Sequence, residues 1–246
     1  MSRRDEYDIF VCGGSQHVDM LQALLPRLRP YGFVHVASTF MAPHEEAKIG
    51  SLCDALHRPR YADVPMSRTK VPYVTFNLFC TREINRLASR PRFIKMDADM
   101  ELADGWIDYV DAGFASHPDA AVFGNRRGIS LNTDLSGPPV RQRLGRDRLV
   151  VAGGTKVCGP FYACRTDFFK QHDDLMQRVH ELCWCFGGGR RRFPSPQGLP
   201  DTTGALKGRA MGWPGAEDGT RCLAVHAAGG TVLHLPSGGL IGQERC

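Results

Sequence analysis

Phe93-Ile94-Lys95-Met96-Asp97-Ala98-Asp99-Met100 is the stretch that decides how this chain is read. Residues 93–96 read as a short buried strand, and the two carboxylates that follow lie where that strand leaves its sheet. Ligands of open α/β sheets bind outside the carboxyl ends of the strands, so Asp97 and Asp99 stand where chemistry is expected. Two carboxylates so close repel one another and lose hydration unless a cation or solvent compensates them. A hard divalent ion bound through carboxylate oxygens, and gripping a substrate diphosphate as well, meets that need. The plainer reading is an acidic pair that ends a strand and caps the next helix.

Outward from this stretch, strand and helix patterns alternate. Residues 7–12 form a strand that breaks at Gly13-Gly14-Ser15, and Val18, Leu21, Leu24, Leu25 and Leu28 mark a helix beyond it. A second strand is expected at Phe33–Ala37, a helix at Glu45–Leu56, a third strand at Arg60–Val64 and a helix from about Pro72 to Ser89. After the metal-binding candidate, Asp104 can cap a helix carrying Trp106, Tyr109, Val110, Gly113 and Phe114 on one face, followed by a strand at Ala120–Gly124. Such alternation implies a mainly parallel sheet in a three-layer α/β/α sandwich. The second half is less regular: strands at Leu149–Gly153 and Val157–Cys164, a helix at Thr166–Glu181, a Gly-, Pro- and Arg-rich segment at Gly187–Trp213, a helix at Glu217–Ala228 and a strand at Thr231–Leu235. A segment as long as 187–213 without regular structure suits a lid.

The 246 residues suffice for one large α/β domain, and the reading is a single domain over 1–246. No apolar run approaches a membrane span, and Met1–Glu6 lacks the apolar segment of a signal peptide, so a soluble cytoplasmic protein is expected. Nine cysteines, an odd number scattered through core segments, suit reduced buried thiols better than a disulfide framework. His180-Glu181-Leu182-Cys183-Trp184-Cys185 is the one dense group of zinc-type ligands, but it has neither a second CxxC nor HExxH spacing. Of the 31 basic residues, only six are Lys, so the chain is rich in bidentate phosphate ligands. No basic face interleaved with aromatic residues is found, which excludes nucleic acid as a partner at this stage. Oligomeric state is not legible.

A second acidic doublet, Glu217-Asp218, opens the last long helix, where the dipole and free N–H groups favour charged carboxylates. Acidic residues are also routine there without any function. Three segments taken together resemble, in order and approximate spacing, the GT-A glycosyltransferases, and most nearly their family-2-like inverting members. They are Phe93–Asp99, Gly159-Pro160-Phe161-Tyr162-Ala163-Cys164-Arg165, and Gly215-Ala216-Glu217-Asp218-Gly219-Thr220-Arg221-Cys222-Leu223 with Gly229–Pro236 beyond it. The resemblance covers roughly residues 7 to 240.

That resemblance implies a Rossmann-like GT-A sandwich binding a nucleotide-sugar donor and a divalent metal, Mn²⁺ or Mg²⁺. About 5–125 would be the nucleotide-sugar half and 126–246 the acceptor half. Asp99 would contact the metal, with Asp97 its partner toward metal or donor ribose and His234 completing the site, or more weakly Gln243. Asp218 would be the catalytic base and Glu217 would orient the acceptor. Gly13, Gly14, Ser38, Asp63, Arg82 and Gly154 would line the donor, with Asn85, Arg68 and Lys70 as alternative contacts. Many relatives carry an acidic residue for uracil after the second strand, where this chain has Ala37-Ser38-Thr39. The acceptor is expected to be a soluble small molecule with a hydroxyl or amine.

The residues support these roles on chemical grounds as well. Glycosyl transfer from a nucleoside diphosphate leaves negative charge on the departing diphosphate, and a base must take the acceptor's proton as its oxygen attacks C1. Two other functions compete. A sugar-phosphate nucleotidyltransferase would share the fold, but the Gly13-Gly14-Ser15-Gln16-His17 loop lacks the Arg and Lys that bind a triphosphate. A non-enzymatic nucleotide- or carbohydrate-binding protein would have little use for Asp218.

Overall fold

The computed structural model describes residues 3–60, 71–124, 141–144, 149–152, 157, 160–177, 217–234 and 240–243. Seven strands form the central sheet in the order β10-β6-β9-β4-β1-β2-β3. They are β1 Tyr7–Gly14, β2 Phe33–Thr39, β3 Ala55–His57, β4 Arg92–Asp97, β6 Ala120–Gly124, β9 Phe161–Arg165 and β10 Thr231–His234. All pair in parallel except β9, which runs antiparallel between β4 and β6. Two ribbons stand outside this sheet: β5 Met100–Leu102 with β11 Leu240–Gln243, and β7 Arg141–Leu144 with β8 Leu149–Ala152.

Helices cover both faces, giving the three-layer α/β/α sandwich. Every residue of β1 is buried, as expected of a strand sandwiched between two layers. On one face, α1 (Val18–Leu28) buries Leu21, Leu24, Leu25 and Leu28 against Ile9, Val11, Ile94 and Met96. Helices α2 (Pro43–Leu52) and α5 (Trp106–Ser116) complete that layer through Ile49, Ile107 and Val110. On the other face, Phe10, Phe93, Tyr162 and Cys164 meet three helical stretches. These are α3 (Val71–Leu78) running through a π turn, Phe79–Glu83, into α4 (Ile84–Leu87); α6 (Thr166–Gln171); and α7 (Glu217–Ala227). The strand alternation of β4 therefore sends Phe93, Lys95 and Asp97 to the α7 side.

Several boundaries differ from expectation, each for a local reason. The helix expected at Glu45–Leu56 ends at Leu52 and a strand follows at Ala55–His57; of the strand expected at Arg60–Val64, the residues beyond Arg60 lie outside the described ones. Asp54 fixes the start of β3: its carboxylate accepts from Val34 N–H at 2.9 Å while its own N–H donates to Val34 O at 2.9 Å, so the chain zips onto β2 directly after α2. Asp104 does not cap α5. The cap is Gly105 at φ 72°, a left-handed conformation that glycine takes without strain. The helix expected at Thr166–Glu181 breaks after Gln171 and resumes at 173–177. The strand expected at Val157–Cys164 begins only at Phe161, and Val157 instead fills the space above Gly124, where a Cβ would meet Val157 Cβ at 2.3 Å. Cys12, Cys53, Cys80, Cys164 and Cys222 are free and buried. Among the described residues, no helix is long and apolar enough to cross a membrane.

Candidate active site

The parallel strands end on one edge. Gly13 and Gly14, Ser38 and Thr39, His57, Asp97, Gly124 and His234 close β1, β2, β3, β4, β6 and β10 there. Antiparallel β9 brings its start, Phe161 and Tyr162, to the same edge, and Tyr162 sits in register with Lys95.

Lys95 is the centre of this edge. Its ammonium donates to Asp97 Oδ1 at 2.6 Å and to Glu217 Oε1 at 2.9 Å, with only 3% of the side chain exposed. One buried cation thus holds one carboxylate from each acidic doublet. The aromatic face of Tyr162 lies 5.8 Å from the ammonium. Burial opposes the charge on Lys95, but Asp97 and Glu217 more than offset it and keep its proton bound well above the usual lysine range. For Asp97, burial pushes the carboxyl up, Lys95 pulls it back and Glu217 adds to the push, leaving it above the usual carboxylate range.

Helix α7 is pinned so that its first turn reaches this point. Asn77, in the last turn of α3, accepts the Glu217 N–H on its amide oxygen at 3.3 Å, capping α7 from outside. One turn on, the buried Arg221 guanidinium donates to Asn85 Oδ1 at 2.9 Å and to the Cys80 carbonyl at 2.5 Å. It also lies among the rings of Phe93, Tyr162 and Phe169, at 5.3, 5.4 and 4.7 Å. Asn85 in turn donates to Asp173 Oδ1 at 3.0 Å. Arg221 therefore fastens the helix bearing Glu217 and Asp218, both buried, to the π turn.

The other expected residues fall into three groups. Gly13 and Gly14 let their neighbours pack closely at the β1 end: a Cβ on Gly13 would meet Ala98 Cβ at 2.9 Å, and one on Gly14 the Thr39 carbonyl at 3.2 Å. Ser38 lies at the β2 end, its hydroxyl 3.3 Å from the His57 carbonyl and 3.5 Å from Glu46 Oε1. Arg82 sits in the π turn, half-buried, while Asn85, the alternative contact, is engaged by Arg221 and Asp173. His234 ends β10 in register with Gly124, whereas Gln243 pairs in register with Met100, one residue from Asp99. Asp63, Arg68, Lys70, Gly154, the 180–185 cluster and the 187–213 segment lie outside the described residues.

Among the described residues, no three or more His, Cys, Asp or Glu side chains gather as metal ligands. Small hard cations such as Mg²⁺ are held by one or two carboxylates together with substrate phosphates and water, so a full protein cage is not required. Asp97 has one oxygen on Lys95 and a second without a partner among the described residues; Asp99 follows two positions later, half-buried. This all-oxygen donor pair fits such an ion.

Sequence reasoning missed Lys95. The signal was present: a lysine inside an apolar strand, two residues before Asp97 and so on the same face. Lysine is almost never fully buried unless paired, which makes its carboxylate partners the thing to look for.

No protein-family model matches the chain, and no curated protein matches it. Solved structures do. A mycobacterial protein is similar at 9% identity and a TM-score of 0.53, over 98% of this chain and 68% of that one. Glucosyl-3-phosphoglycerate synthase from Mycobacterium tuberculosis, in complex with phosphoglyceric acid, is similar at 11% identity and a TM-score of 0.47, over 98% and 73%. A mannosyltransferase from Pyrobaculum calidifontis, in complex with GDP-Man and Mn²⁺, is similar at 12% identity and a TM-score of 0.47, over 98% and 57%. At such identities the likeness is one of fold.

Proposed function

We infer that this chain is a glycosyltransferase that moves a sugar from a nucleotide-diphosphate sugar to a hydroxyl or amine of a small-molecule acceptor, with inversion at the anomeric carbon. The observation that carries this reading is the Lys95 ammonium shared between Asp97 and Glu217, which brings two sequence-distant acidic doublets to one strand edge. Asp99 and Asp97 would hold a divalent ion, Mn²⁺ or Mg²⁺, whose chemistry is to stabilise negative charge on the departing diphosphate. Gly13 and Gly14 end β1 at the edge where the donor would lie against backbone. Glu217, immobilised by Lys95, orients the acceptor. Asp218, next to Glu217 in the first turn of the same helix, takes the acceptor's proton. Carboxylates held in place, as Asp97 and Glu217 are by Lys95, need no rearrangement as charge develops.

The test separates binding from transfer. With nucleoside diphosphates and Mn²⁺, the wild type is expected to gain thermal stability that EDTA removes. Asp99→Ala is expected to lose that metal-dependent gain. Asp218→Asn is expected to keep it while transfer falls by about 10²-fold or more. Wild-type turnover in Asp218→Asn would remove the base assignment, and an absence of any nucleotide-dependent shift would remove the function.

A further inference from the structure

Two thiols lie in contact behind the strand edge. Cys12, in β1, and Cys80, in the π turn, are both buried, and their sulfurs stand 3.8 Å apart, one thiol donating to the other. Both lie within the electrostatic reach of the Lys95 ammonium.

The backbone of each cysteine supports one of the two acidic doublets. Cys12 is in register with Asp97, and its carbonyl accepts the Ala98 N–H at 3.0 Å, which fixes the chain between Asp97 and Asp99. The Cys80 carbonyl accepts from Arg221, the residue that fastens α7 and with it Glu217 and Asp218. The thiol pair thus bridges the supports of both doublets.

A disulfide would require the sulfurs to close from 3.8 Å to about 2 Å. The two backbones are not equally free to supply that movement. Strand β1 is buried throughout and hydrogen-bonded along both edges, to β2 and to β4. Cys80 sits in a π turn, where the regular helical ladder is interrupted. The displacement therefore falls on the turn, and the Cys80 carbonyl moves with it. Arg221 does not follow, because Asn85 and the rings of Phe93, Tyr162 and Phe169 hold it, so its bond to Cys80 is lost.

We propose that Cys12 and Cys80 are a modification site, closed to a reversible disulfide by hydrogen peroxide, and that closure unfastens α7 from the π turn. Cys12, 4% exposed where Cys80 is fully buried, reacts first. Its sulfur takes one oxygen of the peroxide as the O–O bond breaks, giving a sulfenic acid and a water. The Cys80 sulfur then displaces that hydroxyl as a second water and the S–S bond forms. The electrons and protons lost by the two thiols all end in those waters. The hydrogen bond to Cys80, and then burial, keep Cys12 protonated well above the usual thiol range, so the reaction is slow and answers sustained exposure. Nothing in this site depends on which reaction the strand edge performs.

The experiment exposes the wild-type chain to hydrogen peroxide, blocks the remaining thiols with N-ethylmaleimide and reads the digest by mass spectrometry. Amide hydrogen exchange is measured on α7 and β1 before and after. A linked Cys12–Cys80 peptide pair is expected, which dithiothreitol separates. Exchange in α7 is expected to quicken about tenfold or more, the scale of one lost hydrogen bond to a charged group, while β1 stays protected. Cys12→Ala and Cys80→Ala should each abolish the α7 response to peroxide, and either variant suffices if the other does not fold. Absence of the Cys12–Cys80 link overturns the proposal. So does a link that leaves α7 exchange unchanged, an equal loss of protection in β1, or an α7 response that persists in a folded single variant.

Discussion

Replacing Lys95 by Met removes the ammonium that two carboxylates share while keeping most of the apolar stem. Asp97, with 31% of its side chain exposed, can recover hydration. Glu217, with a side chain only 7% exposed, cannot. Removing one partner of a buried ion pair costs about 3–5 kcal/mol when the other charge is left behind. A buried carboxylate has a second way out, which is to bind a proton. For a glutamate of ordinary acidity that route costs about 4 kcal/mol at pH 7 and about 1 kcal/mol at pH 5. The loss in Lys95→Met is therefore expected near 3–4 kcal/mol at pH 7, shrinking to about 1 kcal/mol at pH 5. Against a typical total of about 5–15 kcal/mol, that is a large share of stability.

Urea unfolding at both pH values checks this, with Glu217→Gln and the double variant Lys95→Met/Glu217→Gln alongside. Replacing a whole buried ion pair is often close to neutral, so the double variant is expected to recover most of the pH 7 loss. The two substitutions should be non-additive by about 1–3 kcal/mol. A loss below about 1 kcal/mol at pH 7, an equal loss at both pH values, or simple additivity would each refute a buried ammonium serving both doublets.

Two further outcomes are expected. Acid should unfold the protein in two limbs. His57 sits below its ordinary 6.5 in the folded state, so stability falls as pH drops from there to about 4; Asp8 is held at about 2 against 3.8, so a further stabilisation is lost from about pH 4 to 2. Circular dichroism across pH should show that Asp8→Asn flattens the lower limb and His57→Phe the upper one. Arg221→Lys should lower stability by about 2–3 kcal/mol in urea, because an ammonium cannot reach both Asn85 and the Cys80 carbonyl within the same aromatic enclosure. In the same variant kcat should fall more than nucleotide affinity, since α7 carries Glu217 and Asp218.

Much of the sandwich was legible because period-2 and period-3.6 patterns are local. Leu21, Leu24, Leu25 and Leu28 mark α1, and the apolar run ending at Asp97 marks β4, without reference to any other segment. The antiparallel course of β9 was not legible, because a strand buried on both faces reads the same in either direction. Nor was the ribbon β5–β11, whose two short strands meet through residues about 140 positions apart. For the site, carboxylates at a strand end and at a helix start were visible as types in places. Their joining was not, since it depends on Lys95, which a local reading counts as one polar residue interrupting a strand.

The way Glu217 and Asp218 reach the strand edge explains why helix pattern alone could not place them. A π turn widens the helix by one residue per turn, and such turns recur at functional sites. Here two of its carbonyls accept from outside the helix: Cys80 from Arg221, and Thr81 from the Gln177 amide at 2.9 Å. The turn thus acts as a socket for α7 and for the helical segment at 173–177. Asn77 before the turn caps α7, and Asn85 after it links Arg221 to Asp173. Each of these bonds spans a sequence separation of roughly 90 residues or more, and each uses a residue that a helical pattern assigns only to a face. The doublet is therefore positioned by the turn's geometry, and the chemistry on α7 depends on a helix irregularity that hydrophobic periodicity does not encode.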